Sequence, residues 1–177
     1  MVIQNDETGS REQEMIERCS EAISGWERAD ELTRSYELEA VGRELGRTFE
    51  APAPPVSIER FEDPRLLGRY DDETFRLELN EQLLEEPEPD EALDTYLHEY
   101  RHAAQAYEVQ KSHGVLSHEV DAQEAAEMER ALAEYVSPEE DPQCYWEQVA
   151  ERDAREFSAD ITDRVLAETT RRNKRDA

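Results

Sequence analysis

The stretch that organises this sequence is residues 90–107, which read DEALDTYLHEYRHAAQAY. Apolar side chains recur in it every three or four positions, at Leu93, Leu97, Tyr100, Ala104 and Tyr107. This spacing predicts an α-helix with one face turned toward a core. The helix is predicted to begin at Asp90, because aspartate commonly caps a helix N-terminus, and to end at Gly114.

Two histidines lie on this predicted helix, four residues apart, at His98 and His102. The spacing places both imidazoles on one face, where they can supply two corners of a tetrahedral zinc site. Glu99 projects about 100° further around the helix, so its carboxylate is expected to reach a water molecule at the metal rather than the metal itself. There it can take a proton from the water and deliver it to a leaving group. The pattern predicts a zinc-dependent hydrolase with Glu99 as general base.

A third protein ligand is required, because a catalytic zinc site keeps its fourth position for water or substrate. The last predicted helix offers Glu151, which lies beside an apolar stripe and can face the motif helix. Glu156 and Asp153 are alternatives, and Asp153 could instead accept a hydrogen bond from a ligand imidazole. His113 could complete a site made of histidines only. We favour Glu151 and leave the other three open.

A change of hydrophobic period marks a small sheet before the motif helix. In Arg76–Asn80 apolar and polar side chains alternate, which is typical of a strand with one buried face. Shorter apolar runs at 56–61 and 66–70 indicate further strands. We predict an antiparallel sheet of two or three strands packed on the motif helix.

Helical spacing dominates the rest of the chain. Residues 1–50 predict two helices that form an N-terminal extension, and residues 117–136 and 145–171 predict two more. A chain of 177 residues suits one compact domain with a modest core. We therefore predict a single, mostly helical α+β domain over 1–177, with a catalytic core at 56–171.

The charge balance is strongly acidic. The chain carries 46 acidic against 20 basic residues, a formal net charge of −26, and Lys111 and Lys174 are its only lysines. Such a surface disfavours nucleic acid and anionic membranes as partners, because phosphate binding needs clustered cations. Low lysine with excess carboxylate is typical of proteins from salt-accumulating halophiles, where molar salt screens self-repulsion.

The two cysteines, Cys19 and Cys144, lie far apart and lack the spacing of a metal or redox motif. The N-terminal residues do not resemble a secretory signal, and no run approaches the ~18 apolar residues of a membrane span. These features predict a cytoplasmic protein.

Two segments resemble parts of a known family. Tyr96–Gln105, YLHEYRHAAQ, resembles the active-site helix of the zincin metallopeptidases, and Glu151–Ser158, ERDAREFS, is similar to the downstream Glu-x-x-Ala helix of the gluzincins. The nearest group is the small intracellular zincins of the ImmA/IrrE kind, with related toxin-like zincin domains. The resemblance spans residues 68–161.

The resemblance implies a zincin-like fold and an endopeptidase function. The zinc ligands it implies are His98, His102 and Glu151, with Glu99 as general base. It also implies that Arg76–Asn80 is an edge strand that lines the cleft and pairs with an extended peptide substrate. Arg155 stands where many gluzincins have aspartate or asparagine.

Three other interpretations share these residues. A toxin or effector domain would keep the same site and act on a narrow target. A zincin-shaped binding or regulatory module would need no general base, so Glu99 argues against it. A helical interaction protein with an accidental motif would bind no metal. Two histidines with one carboxylate also suit iron, and the adjacent Glu99 favours zinc.

Overall fold

The computed structural model of this protein describes residues 4–112, 122–137 and 140–175. The helices are α1 (Gln4–Ala22), α2 (Glu31–Phe49), α3 (Asp90–Gln110), α4 (Ala122–Ala133), α5 (Pro142–Glu147) and α6 (Val149–Arg175). The strands are β1 (Val56–Glu59), β2 (Gly68–Asp71) and β3 (Arg76–Asn80), and short 3-10 helices occupy Trp26–Arg28 and Glu81–Leu84. The predicted mostly helical α+β class is confirmed. Within these ranges, none of the helices combines the length and apolar character that crossing a lipid bilayer requires.

The sheet has three strands in the order β1-β3-β2 and is mixed, so the prediction of an antiparallel sheet is wrong for one of its two pairings. β2 and β3 form an antiparallel pair, whereas β1 runs parallel to β3. The chain leaves β1 and crosses through residues 60–67 to the far side of β3 before β2 begins. Arg76–Asn80 is therefore the central strand, and the prediction that it forms an edge is also wrong.

The motif helix α3 is the centre of the fold. It packs against α6 and against β2 and β3, while α1 packs on α2 and α6. One apolar cluster joins these elements and includes side chains from α1 and α2, the predicted N-terminal extension. Its largest fully buried members are Trp26, Tyr96, Tyr100, Met15, Ile23, Leu38, Leu45, Leu77, Leu79, Leu83, Leu84 and Leu93.

One predicted helix end differs from the structure, and two others cannot be compared with it. Asp90 is the first residue of α3 rather than its cap, a position that Pro89 takes. Asp90 still favours the helix, because a carboxylate in the first turn complements the positive end of the helix dipole. Gly114 and Ser117, where one helix was predicted to end and the next to begin, lie outside the described residues.

The predicted helix over 145–171 is two helices, α5 and α6, separated at Gln148. Gln148 has an extended backbone, and its side-chain amide exchanges hydrogen bonds with the N–H and C=O of Val136 at 2.8 and 2.9 Å. These hydrogen bonds tie Gln148, whose ψ of 142° lies outside the helical range, to the segment that follows α4. The break leaves Tyr145 on α5 in position to face the motif helix.

Gly42 lets α2 approach α3 closely. A Cβ atom at this buried position would lie 1.9 Å from the Tyr96 hydroxyl oxygen and 3.2 Å from the Ala53 Cβ. The Tyr96 side chain is fully buried, and its hydroxyl has no hydrogen-bond partner among the described residues. The contact between the two helices therefore depends on the absence of a side chain at residue 42.

We expect Gly42→Ala to lower the free energy of unfolding by about 1–3 kcal/mol, because overpacking outweighs the helix propensity of alanine. Tyr96→Phe should change stability little, since it removes a buried hydroxyl that makes no hydrogen bond. When Tyr96 is already phenylalanine, Gly42→Ala should cost much less free energy of unfolding than it does in the wild type. Urea unfolding followed by circular dichroism measures both costs. Equal costs of Gly42→Ala in both backgrounds would show that the hydroxyl is not the obstacle.

Candidate metal centre

Three side chains from two helices converge beside the sheet. His98 and His102 project from one face of α3, and their Nε2 atoms lie 3.1 Å apart. Glu151 on α6 places one carboxylate oxygen 3.3 Å from His98 Nε2 and the other 3.4 Å from His102 Nε2. Atoms bound to zinc at its usual ligand distances in a tetrahedron lie about 3.3 Å apart. Each histidine faces a different Glu151 oxygen at close to this separation, and with one donor atom from each residue the three donors lie within 4.8 Å of one another. The three groups are therefore close enough to share one metal ion.

Glu151 is the most deeply buried of the three, with 1% of its surface exposed. Its Oε1 accepts a hydrogen bond from the Tyr135 hydroxyl at 3.3 Å, whereas its buried Oε2 has no well-aligned hydrogen bond from the described residues. Burial raises the pKa of this carboxyl, but His102 and His98, which donate to it and carry charge when protonated, outweigh burial and hold the pKa well below its usual range. Oε2 lies 3.3 Å from His98 Nε2 and 3.9 Å from Arg155 Nη1 without an aligned hydrogen bond, and a bound cation would satisfy this buried, ionised oxygen.

Glu99 lies next to this cluster, against the sheet. Its side chain is buried, with 9% of its surface exposed, and its carboxylate lies near the backbone N–H of Tyr70. Burial raises the pKa of the Glu99 carboxyl, and the two neighbouring imidazoles offset part of that shift. A carboxyl with a raised pKa is suited to exchange protons near neutral pH.

Gly68 allows this position of Glu99. A Cβ atom at residue 68 would lie 2.8 Å from Thr95 Cγ2 and 3.0 Å from Glu99 Cγ. The missing side chain lets α3 approach β2 until the Glu99 carboxylate reaches the Tyr70 backbone.

The cluster opens into a cleft of about 540 Å³. One wall is β2, and the opposite wall comes from α4, from α5 and from the residues that follow α4. The lining side chains include Leu66, Tyr70, Asp72, Ala106, Leu132, Tyr135 and Tyr145. A mixed apolar and polar cleft of this kind is typical of small-ligand and substrate sites.

The edge of β2 faces this cleft. Asn80 N–H donates to the Leu67 carbonyl at 2.8 Å, and hydrogen-bonded and non-bonded pairs alternate along an antiparallel ladder. Gly68 and Tyr70 therefore direct their N–H and C=O groups away from β3. An edge strand does line the cleft, but it is β2 and not Arg76–Asn80, for which this was predicted.

A chain of polar side chains lies behind His102. Gln105 Oε1 is 3.0 Å from His102 Nδ1, and Gln105 Nε2 donates to Asp153 Oδ2 at 2.7 Å. Asp153 also accepts a hydrogen bond from Arg101 Nε at 2.6 Å. Burial lowers the pKa of His102, but the neighbouring carboxylates of Glu151 and Glu99 reverse this, so the pKa is raised.

The alternatives to Glu151 are placed differently. Asp153 does not meet a histidine directly, because Gln105 stands between them. Glu156 is exposed and lies outside the cluster, and His113 lies outside the described residues. In the part of the chain that the structure describes, His98, His102 and Glu151 are the group of histidines, cysteines and carboxylates that converges closely enough to hold a metal ion.

Three residues at the site were missed in the sequence. Tyr135 donates a hydrogen bond to Glu151, and Tyr145 lines the same cleft; burial together with the Glu151 charge raises the pKa of each hydroxyl, so both stay protonated. Gln105 follows His102 by three residues, a spacing that places it on the same helix face. That spacing was the one local signal available, because the tyrosines reach the site only through tertiary packing.

Comparisons with known proteins do not identify this chain. No family model, no curated protein and no solved structure matches it. Its function is therefore inferred from the contacts and charges of its own residues.

Proposed function

We propose that this protein is a zinc-dependent metallopeptidase of the zincin class, with zinc held by His98, His102 and Glu151. One observation carries the proposal: two imidazole nitrogens and a buried, ionised carboxylate meet at separations of 3.1, 3.3 and 3.4 Å. Nitrogen and carboxylate donors in this number suit catalytic zinc, which takes three protein ligands and keeps one position open. Together with Glu99, these residues favour a metal-dependent hydrolase over a closed structural zinc site.

The chain's own residues divide the chemistry between them. When bound, zinc supplies Lewis acidity, which favours attack of water on a carbonyl group at neutral pH. Glu99 accepts a proton from the attacking water on its carboxylate and delivers it to the leaving amine. Packing of α3 against Gly68 of β2 holds that carboxylate in place, and the Tyr135 hydroxyl holds Glu151.

An extended peptide is the substrate that the cleft suits best. β2 offers the unpaired backbone groups of an edge strand at the cleft, and a peptide can add to such an edge through main-chain hydrogen bonds. The strand begins at the Gly68 position that lies against Glu99. A peptide lying along β2 would therefore pass close to the general base.

We place this activity in the cytoplasm. Cys19 and Cys144 are both free, and Cys144 is exposed. An exposed free thiol is typical of a reducing compartment.

The proposal is tested by metal content and peptide hydrolysis in high salt. Protein saturated with zinc and then desalted should hold about one zinc ion per chain by elemental mass spectrometry, as three protein ligands imply. His98→Ala and Glu151→Ala should lose the zinc, because each removes a ligand. The zinc-loaded protein should cleave members of a quenched fluorescent peptide library, and a chelator should abolish cleavage.

Glu156→Ala is the matched control, since it removes an exposed carboxylate from the same helix and should retain zinc and activity. Loss of zinc from Glu156→Ala but not from Glu151→Ala would move the third ligand. A wild-type protein that binds no zinc after zinc is added would overturn the proposal.

A further inference from the structure

The donor and the acceptor of each hydrogen bond in the polar chain behind His102 can be assigned. Gln105 is fully buried, and its Nε2 donates to the Ala150 carbonyl at 3.0 Å and to Asp153 Oδ2 at 2.7 Å. Arg101 holds Asp153 with Nε 2.6 Å from Oδ2 and Nη2 3.4 Å from Oδ1. Both groups at Gln105 Nε2 can only accept hydrogen bonds, because one is a carbonyl and the other is a carboxylate paired with arginine.

This environment settles which end of the Gln105 amide faces His102. The NH₂ group must point at the two acceptors, so the carbonyl Oε1 lies toward His102 Nδ1, 3.0 Å away. The opposite orientation would set the amide oxygen of this fully buried side chain against two other oxygens, leaving its polar atoms unsatisfied. Oε1 accepts, and the Nδ1 of His102 must therefore carry the hydrogen.

A neutral imidazole with hydrogen on Nδ1 has its lone pair on Nε2. His102 Nε2 is the atom that lies 3.1 Å from His98 Nε2 and 3.4 Å from Glu151. The tautomer that Gln105 selects is thus the one that presents a metal-binding nitrogen to the cluster.

We propose that Gln105 is a positioning residue that holds His102 in its Nδ1–H tautomer, with its own amide oriented by Asp153, Ala150 and Arg101. The inference rests on the proposed function, in that it assigns the selected nitrogen to zinc. It adds a role for α6: this helix supplies Asp153 and the Ala150 carbonyl as well as Glu151. Packing of α6 against α3 therefore does two things at once. It positions Glu151 as the third ligand, and it fixes the hydrogen of His102 on Nδ1.

The tautomer of His102 is measured directly in metal-free wild-type protein. ¹⁵N-labelled histidine rings, observed at a pH where the imidazole is neutral and assigned with His102→Gln, should show hydrogen on Nδ1 of His102. Gln105→Met keeps the length of the side chain without its hydrogen bonds, and it should yield a mixture of tautomers. Its zinc dissociation constant, from competition with a chromophoric chelator, should rise about 10- to 100-fold with the stoichiometry unchanged.

Gln13→Met is the matched control, because Gln13 is exposed on α1 and bonds only within its own helix to Glu17. It should leave both the tautomer and the zinc affinity unaltered. Hydrogen on Nε2 of His102 in the wild type, or wild-type zinc affinity in folded Gln105→Met, would overturn the inference. If Gln105→Met does not fold, the wild-type spectrum still decides. If the wild type binds no zinc, the proposed function fails, whereas the tautomer remains testable.

Discussion

Replacing Glu99 with glutamine is expected to lower the turnover of any cleaved peptide by about 10²- to 10⁴-fold, the usual contribution of a general acid–base group. Glutamine has nearly the shape of glutamate and can occupy the same buried position against β2, but its amide cannot take a proton from water. Zinc content should remain at the wild-type level, because the side chain is not among the three proposed ligands. Steady-state hydrolysis of a fluorogenic peptide, together with elemental analysis of the same samples, measures both effects.

Glu91→Gln is the control for this substitution, since Glu91 is an exposed glutamate in the first turn of the same helix. It should retain full turnover. If Glu99→Gln kept activity within a few-fold of wild type while holding zinc, the general-base role would be wrong. If Glu99→Gln instead lost its zinc, the side chain would be a ligand, and the division of roles within the motif would have to change.

The largest stability effect is expected at Arg34. This side chain is 7% exposed, and its guanidinium donates to three carbonyl oxygens, those of Trp26 at 3.0 Å and of Leu84 and Glu86 at 2.7 Å. The guanidinium also lies 5.2 Å from the centre of the Trp26 ring. It therefore ties α2 to the turn after α1 and to the segment that leads into the motif helix.

Arg34→Ala should reduce the free energy of unfolding by about 3–5 kcal/mol, because it removes three hydrogen bonds from a charged donor and the cation–π contact with Trp26. The Leu84 carbonyl loses its donor, whereas the Trp26 and Glu86 carbonyls keep one from Ala29 N–H and Trp26 Nε1–H. Arg34→Lys should recover only part of this, since a single ammonium cannot reproduce the planar fork of donors. Urea unfolding followed by tryptophan fluorescence and circular dichroism gives both values.

Arg47→Ala provides the comparison on the same helix. Arg47 is 65% exposed and forms an ion pair with Glu44, an interaction that contributes about 0–1 kcal/mol at a surface. A cost at Arg34 no larger than at Arg47 would mean that the three hydrogen bonds add little to stability.

The helical positions of the site could be predicted because they depend on local geometry. His98 and His102 share a face of α3 because four residues complete about one helical turn, and Glu99 projects away for the same reason. Glu151 was preferred over Asp153 and Glu156 because of its place beside an apolar stripe, and this was enough to select the residue that reaches both histidines. The alternation of apolar and polar side chains predicted the strand at Arg76–Asn80. That alternation does not specify which strands pair with it, or in which direction.

The sequence by itself determined the motif helix, the spacing of its histidines, the acidic surface and the α+β class, since each follows from composition or from a period of a few residues. Only the tertiary structure decided that β2 forms the edge at the cleft, that Tyr135 supports Glu151 and Tyr145 lines the same cleft, and that Gln105 rather than Asp153 meets His102. The hydrogen bond between Gln105 and Asp153, for example, joins residues 48 positions apart. Such contacts arise from the docking of α6 on α3 and from the crossing of the chain between β1 and β2, and no local pattern of side chains specifies either event.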